Sequence, residues 1–215
     1  MAQPSLQSLL VEHLAAELGD AETARRFAAV LMEEALSWRA PTVPVAEVRT
    51  IFAFTFGNRM LPSGNREPGP VNEALADTAV RLHEATGACV WAQWEVAAAM
   101  GDRVPSGLLV PIHPARGADA EPRYLSTGGV VDEILARRPE GLGTVAVVAL
   151  RDHAWRCVRI CRRRGLAAGL PEGWPMPGAY DAASGQPWTR DRLAYLLHDL
   201  HCRALDRRDI AGHNQ

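Results

Sequence analysis

From residue 48 to residue 164, short apolar runs alternate four times with longer amphipathic stretches. The runs 50–56, 88–93, 108–112 and 144–150 are rich in β-branched and aromatic side chains and have strand length. The stretches between and after them carry apolar residues at helical spacing. Val71, Leu75, Ala79 and Leu82 run up to a stop at Gly87; 94–100 is a short helix; a third helix runs from Ser126 or Thr127 to Arg138, and a fourth from Ala154 to Arg164. Strands that alternate with helices are joined by crossovers, and crossovers make neighbouring strands parallel. Helices then cover both faces of the sheet, which explains why 144–150 has almost no polar position. The expected class is α/β: an open parallel-sheet, Rossmann-like three-layer core.

Outside that pattern the chain divides at about residue 44 into an N-terminal helical hairpin, 1–44, and an α/β domain, 45–215. Leu6, Leu9, Leu10, Leu14 and Leu18 define the first helix, with Gly19 as its stop. Asp20 caps a second helix bearing Ala24, Phe27, Leu31, Ala35 and Trp38, which the prolines of 40–44 break. These stripes need cover, either the α/β core or a second chain, which makes a homodimer one outcome. Residues 165–187, rich in Gly and Pro, read as a long ordered loop with room for one short edge strand. Thr189 is placed to cap a last helix to about Asp206.

Composition narrows the chemistry. The 215 residues carry a net charge of −2, so no global field draws the chain to nucleic acid or anionic lipid. All 23 basic residues are arginine. Without lysine there is no P-loop lysine, no Schiff base and no lysine general base, and anions must be met by guanidinium forks. Cys89, Cys157, Cys161 and Cys202 form no C-x-x-C pair, and no apolar run reaches the roughly 18 residues that span a bilayer. A soluble chain in the reducing cytoplasm is expected.

In open parallel sheets ligands bind beyond the carboxyl ends of the strands. That rule alone yields the candidate site. Asn58, Arg59, Ser63 and Arg66 follow the first strand, among Gly57, Gly64 and Gly69. Gln93, Trp94 and Glu95 follow the second, His113 the third, and Asp152, His153 and Arg156 the fourth. His153 is the natural general acid or base, Asp152 its orienting group or a helix cap, and Glu95 a second carboxylate or a first-turn anion. Asn58, Arg59, Ser63, Arg66, Gln93, Trp94, His113 and Arg156 would bind substrate, the arginines holding an anion. No metal set is expected: His198 and His201 on the last helix are not four apart, and only His201 falls on its apolar stripe. Gly141-x-Gly143 precedes its strand, whereas a dinucleotide fingerprint follows one. No cofactor is named by any motif. Trp174, Tyr180 and Trp188 make the 165–188 segment a lid or a layer packed on the core.

The order of these pieces resembles the YdcF/SanA-like family of bacterial proteins. The resemblance rests on GNRMLPSGNREPGPVN at 57–72 before an amphipathic helix, on Glu95 opening a helix after a strand, on the Ser126-Thr127 helix start, and on Asp152-His153-x-x-Arg156 after the apolar strand. It covers about residues 48–168. The family's Ser-Gly-Gly before the glutamate reads Ala92-Gln93-Trp94 here, which marks a divergent, membrane-free relative. The resemblance implies an open Rossmann-like sheet and leaves the activity broad, between an envelope role and a nucleotide-type ligand. Two functions fit: a small enzyme acting on a polar anionic metabolite, for example in specialised biosynthesis, or a non-catalytic ligand-binding or regulatory protein using the same pocket.

Overall fold

The computed structural model describes residues 3–114, 125–138 and 140–212. Its elements are α1 (Leu6–Leu18), α2 (Ala21–Val30), β1 (Thr42–Val43), β2 (Val48–Ala53), β3 (Arg59–Met60), β4 (Arg66–Glu67), α3 (Gly69–Thr86), β5 (Cys89–Gln93), α4 (Trp94–Met100), β6 (Leu109–Ile112), α5 (Thr127–Arg137), β7 (Thr144–Val148), α6 (Arg151–Arg163), β8 (Ala168–Pro171) and α7 (Arg192–Gly212). They form two compact units. One comprises α1, α2 and the α7 residues from Leu197 onward; the other runs from Arg39 to Leu196.

The larger unit is built on a six-stranded sheet of order β1-β8-β7-β2-β5-β6, parallel throughout. Alternate residues of the central strands face opposite layers, as the period of two demands. Ile51, Ala53, Val90, Ala92, Ala146 and Val148 pack with Leu75, Ala79 and Leu82 of α3 and Val96 and Met100 of α4. Phe52, Phe54, Val145 and Val147 pack with Val130, Val131 and Ile134 of α5 and Val158 of α6. Cys157 and Cys161 are fully buried small residues of that second layer.

Strand order then decides where a site can be. From β2 the chain winds outward to β5 and β6, returns through α5, and winds the other way through β7 and β8. Winding reverses between β2 and β7. At such a switch point the two following loops part instead of crossing, and a crevice opens at the carboxyl ends of the strands.

Several boundaries differ from expectation. β2 ends at Ala53, three residues early: the Phe54 amide still donates to the Val148 carbonyl, but Thr55, Phe56 and Gly57 turn away to bond with a side chain of α3. The loop at 57–70 contains the antiparallel hairpin of β3 and β4. The one short strand expected within 165–187 is β8, but it is interior; the edge is β1, within the proline-rich break at 40–44. The Pro114–Pro122 loop lies largely outside the described residues. Thr189 closes a short 3-10 turn, and α7 begins at Arg192 with the Asp191 carboxylate accepting from the Ala194 amide.

In the smaller unit Asp20 caps α2 as expected, accepting from the amides of Glu22 and Thr23. After Val30 the helix widens into a π turn, Leu31–Ala35, so Trp38 falls beyond it. Wide turns leave carbonyls without helical partners. Arg203 of α7, 2% exposed, donates to the carbonyls of Glu34 at 2.8 Å and Ser37 at 2.6 Å. Its charge is met by Asp199 at 2.7 Å and by the Trp38 ring, whose centroid lies 3.9 Å from the guanidinium carbon. No helix among the described residues is long and apolar enough to cross a membrane.

Candidate functional site

The rim of the sheet is organised by one amide that the sequence reading passed over. Asn72 lies on the face of α3 that also carries Leu75, Ala76 and Ala79, and it is fully buried. Its Oδ1 accepts from the Thr55 hydroxyl (2.8 Å) and the Phe56 amide (2.9 Å), and its Nδ2 donates to the carbonyls of Gly57 (2.8 Å) and Pro68 (2.7 Å). Four bonds satisfy the amide and fix the turn that leaves β2. A polar residue interrupting an apolar helical stripe is a signal readable from sequence. The turn is tight at Gly57, which has a φ of +70°; a Cβ there would lie 2.6 Å from both Ser184 Oγ and Thr189 Oγ1.

On the β5 side of this turn sits Glu95, in the first turn of α4 and 6% exposed. Burial pushes its carboxyl up to about 7, against hydrogen bonds from its own amide and the side chains of Asn58 and Thr55 and the charge of Arg66. Its Oε2 is buried without a hydrogen-bond partner among the described residues. Gln93 braces the same corner, its side-chain oxygen accepting from the Thr55 amide at 2.9 Å. Asn58 is buried, and its backbone carbonyl accepts from the Gly185 amide at 2.7 Å.

On the β7 side, α6 opens with Asp152 and His153, both buried. Consecutive helical residues point about 100° apart, so the two side chains serve different neighbours. Asp152 accepts from Arg192 (3.0 and 3.1 Å), from the Tyr180 hydroxyl (2.9 Å) and from Arg151 (3.4 Å). Burial opposes its charge, but those bonds outweigh it and hold the carboxyl below its ordinary value. Burial, together with the same carboxylate, pushes the Tyr180 hydroxyl up. His153 Nδ1 lies 2.6 Å from the Tyr195 hydroxyl, and its Nε2 lies 3.5 Å from Thr127 Oγ1. Tyr195 therefore takes the orienting place expected of Asp152. Arg156, one turn further along α6, is buried as well.

The Phe56 ring packs against the β7-side group, with centroids 6.2 Å from His153, 5.5 Å from Tyr180 and 4.7 Å from Tyr195. Glu95 and His153 follow strands on either side of β2, an offset of about 10 Å at two strand spacings.

The remaining candidates scatter. Arg59 is held by Asp181, and Arg66, with no ion pair among the described residues, is exposed on β4. Ser63 is exposed near the hairpin tip, Trp94 is half-buried, and His113 is exposed at the end of β6, the outermost strand. Among the described residues no group of three or more His, Cys, Asp or Glu is arranged to hold a metal.

The chain matches no family model, no curated protein and no solved structure. Function must therefore be sought in the rim itself. It presents one buried carboxyl with an unpartnered oxygen, raised to about 7, with Asn58 beside it and Arg66 near enough for its charge to act on it. Tyr180, Asp181, Tyr195 and Asn72 complete the rim, and of these only Asn72, which interrupts an apolar stripe, and Tyr180, an aromatic of the 165–188 segment, carried a sequence signal. The others are remote in the chain from the residues they touch: 42 positions separate Tyr195 from His153.

Proposed function

We propose that this protein is a small enzyme acting on a polar anionic metabolite, with Glu95 as the group that gives and takes the proton. The observation that carries the reading is the buried, unpartnered Oε2 of Glu95 at the carboxyl end of β5. A native interior rarely leaves such an atom unpaired, and a carboxyl near 7 is matched to proton transfer at neutral pH. A substrate N–H or O–H supplies the missing partner, the Asn58 side chain steadies the carboxyl, and Arg66 meets the substrate's negative charge. His153, already bonded to Tyr195, is a positioning residue behind Phe56 in this reading. Divergent membership of the YdcF/SanA-like family belongs to the same proposal, supported by Glu95 after β5 and His153-x-x-Arg156 after β7.

A ligand-binding role without chemistry is the second reading, favoured by the closed bonding of Asp152 to Arg192 and Tyr180. Incubation of the protein with a mixture of small carboxylates and phosphate esters, followed by NMR, separates the two. An enzyme depletes a compound, Glu95→Gln still binds it, and Glu95→Gln no longer depletes it. Binding without depletion establishes the second reading, and depletion unchanged in Glu95→Gln removes Glu95 from the chemistry.

A further inference from the structure

We propose that Arg59 heads an anion site, for a carboxylate or phosphate group of a small molecule, that the chain's own Asp181 occupies in this structure. The proposal rests on the reading that an anionic ligand enters at this rim, and it names how that entry is controlled.

Arg59 lies in the loop that leaves β2, beside the reversal of winding where an open α/β sheet takes its ligand. Its guanidinium grips Asp181 in a two-pronged fork, Nε to Oδ2 at 2.8 Å and Nη2 to Oδ1 at 3.2 Å. This is the geometry in which arginine receives a ligand carboxylate or phosphate. The slot around the carboxylate is built rather than incidental. Asp181 is 9% exposed although its partner's side chain is 40% exposed, and its Oδ1 accepts from the Ala183 amide at 3.0 Å. The floor of the slot is Gly69, at a φ of +74°, where a Cβ would stand 3.4 Å from Asp181 Oδ2 and 3.3 Å from Arg59 Cγ. The anion and the arginine stem thus lie in contact distance of the start of α3, and the positive φ is what favours glycine there.

The part of the carrier that can withdraw is the short turn at Asp181. Residues 172–186 contain no helix or strand. Trp174, Met176 and Tyr180 anchor the strap on the core, and its bonds to the rim flank the Asp181 turn: the Arg151 amide to the Pro177 carbonyl (2.7 Å), the Tyr180 hydroxyl to Asp152, and the Gly185 amide and Ser184 hydroxyl to the Asn58 carbonyl. The last places the strap next to Asn58, a neighbour of Glu95. With the Arg59 side chain 40% exposed, solvent and a competing anion reach its side of the pair. When a ligand's anionic group takes Arg59, Asp181 leaves the slot, and the strap loosens beside the carboxyl that is to act on the ligand.

The test uses the full chain at pH 7 and low salt, with calorimetric titration of inorganic phosphate and, separately, of acetate. Asp181→Asn keeps the shape and removes the competing charge. It is expected to bind one of the two anions at least ten-fold more tightly than the wild type, and which anion gains identifies the group the site takes. Adding Arg59→Met to Asp181→Asn abolishes the gain. No gain for either anion overturns the proposal, as does a gain that survives Arg59→Met. Failure of both Asp181→Asn and Asp181→Ser to fold overturns it too, because a displaceable occupant is not needed for folding. The two proposals fail separately. A gain through Arg59 with no Glu95-dependent turnover removes only the enzyme reading, and Glu95-dependent turnover with no gain removes only this one.

Discussion

Replacing Glu95 by Gln isolates the energetic cost of a buried carboxyl. In the folded chain its pKa is raised from an ordinary 4.5 to about 7, chiefly by burial. A raised carboxyl binds its proton more tightly in the folded state than in the unfolded one, so folding is favoured at low pH. The contribution is fully present below 4.5, is lost progressively as pH rises, and is gone above about 7. A shift of this size is worth about 3 kcal/mol. The amide in Glu95→Gln cannot ionise and escapes that penalty while keeping the shape. At pH 5 the two proteins should therefore have similar urea midpoints. At pH 8 Glu95→Gln should be the more stable by up to about 3 kcal/mol, roughly 1 M or more in urea for an m-value of about 2–3 kcal/mol/M. The wild-type carboxyl carbon, followed by NMR, should titrate near neutrality. A midpoint difference that stays flat between pH 5 and 8, or a Glu95→Gln variant less stable at pH 8, would refute the reasoning. Stability gained by removing a charge is the usual signature of a residue kept for function.

Three further outcomes follow from the rim. Asn72→Ala strands four backbone and side-chain groups at the exit of β2 and should lower stability by about 2–4 kcal/mol in urea unfolding, while a change of less than about 1 kcal/mol would show that water replaces the amide. Gly57→Ala combines a positive φ with a Cβ 2.6 Å from two hydroxyl oxygens and should cost about 2 kcal/mol or more, whereas Gly64→Ala, at a φ of +83° with open space around it, should cost only about 1 kcal/mol by thermal melting. Asp152 has the opposite pH sense to Glu95: its lowered carboxyl stabilises above the ordinary value of 3.8 and loses that contribution as pH falls through the folded value. Asp152→Asn should accordingly lower the melting temperature at pH 7, by about 1–2 kcal/mol in stability, with the difference closing at acid pH.

The fold class was written in local features. The runs at 50–56, 88–93, 108–112 and 144–150 differ from the intervening stretches in period and side-chain type, and a βα alternation leaves a parallel sheet with covered faces as the outcome. Asp20 and Gly19 bounded their helices because caps act within three or four residues. The rule that ligands sit at strand carboxyl ends likewise pointed to Glu95 and His153 as residues of the rim. The sequence could not say which strand lies beside which. The order β7-β2-β5, and with it the reversal between β2 and β7, depends on packing between segments nearly a hundred residues apart, where no periodicity reaches. The same holds for partners. Arg59 finds Asp181 across 122 positions, and His153 finds Tyr195 across 42. Burial is the other quantity that only folding supplies: Glu95 and His113 both follow strands as polar residues, yet one is enclosed beside the centre of the sheet and the other is exposed at its edge. Chemistry at this rim depends on desolvation and on long-range pairing, and both are set by tertiary packing rather than by local sequence.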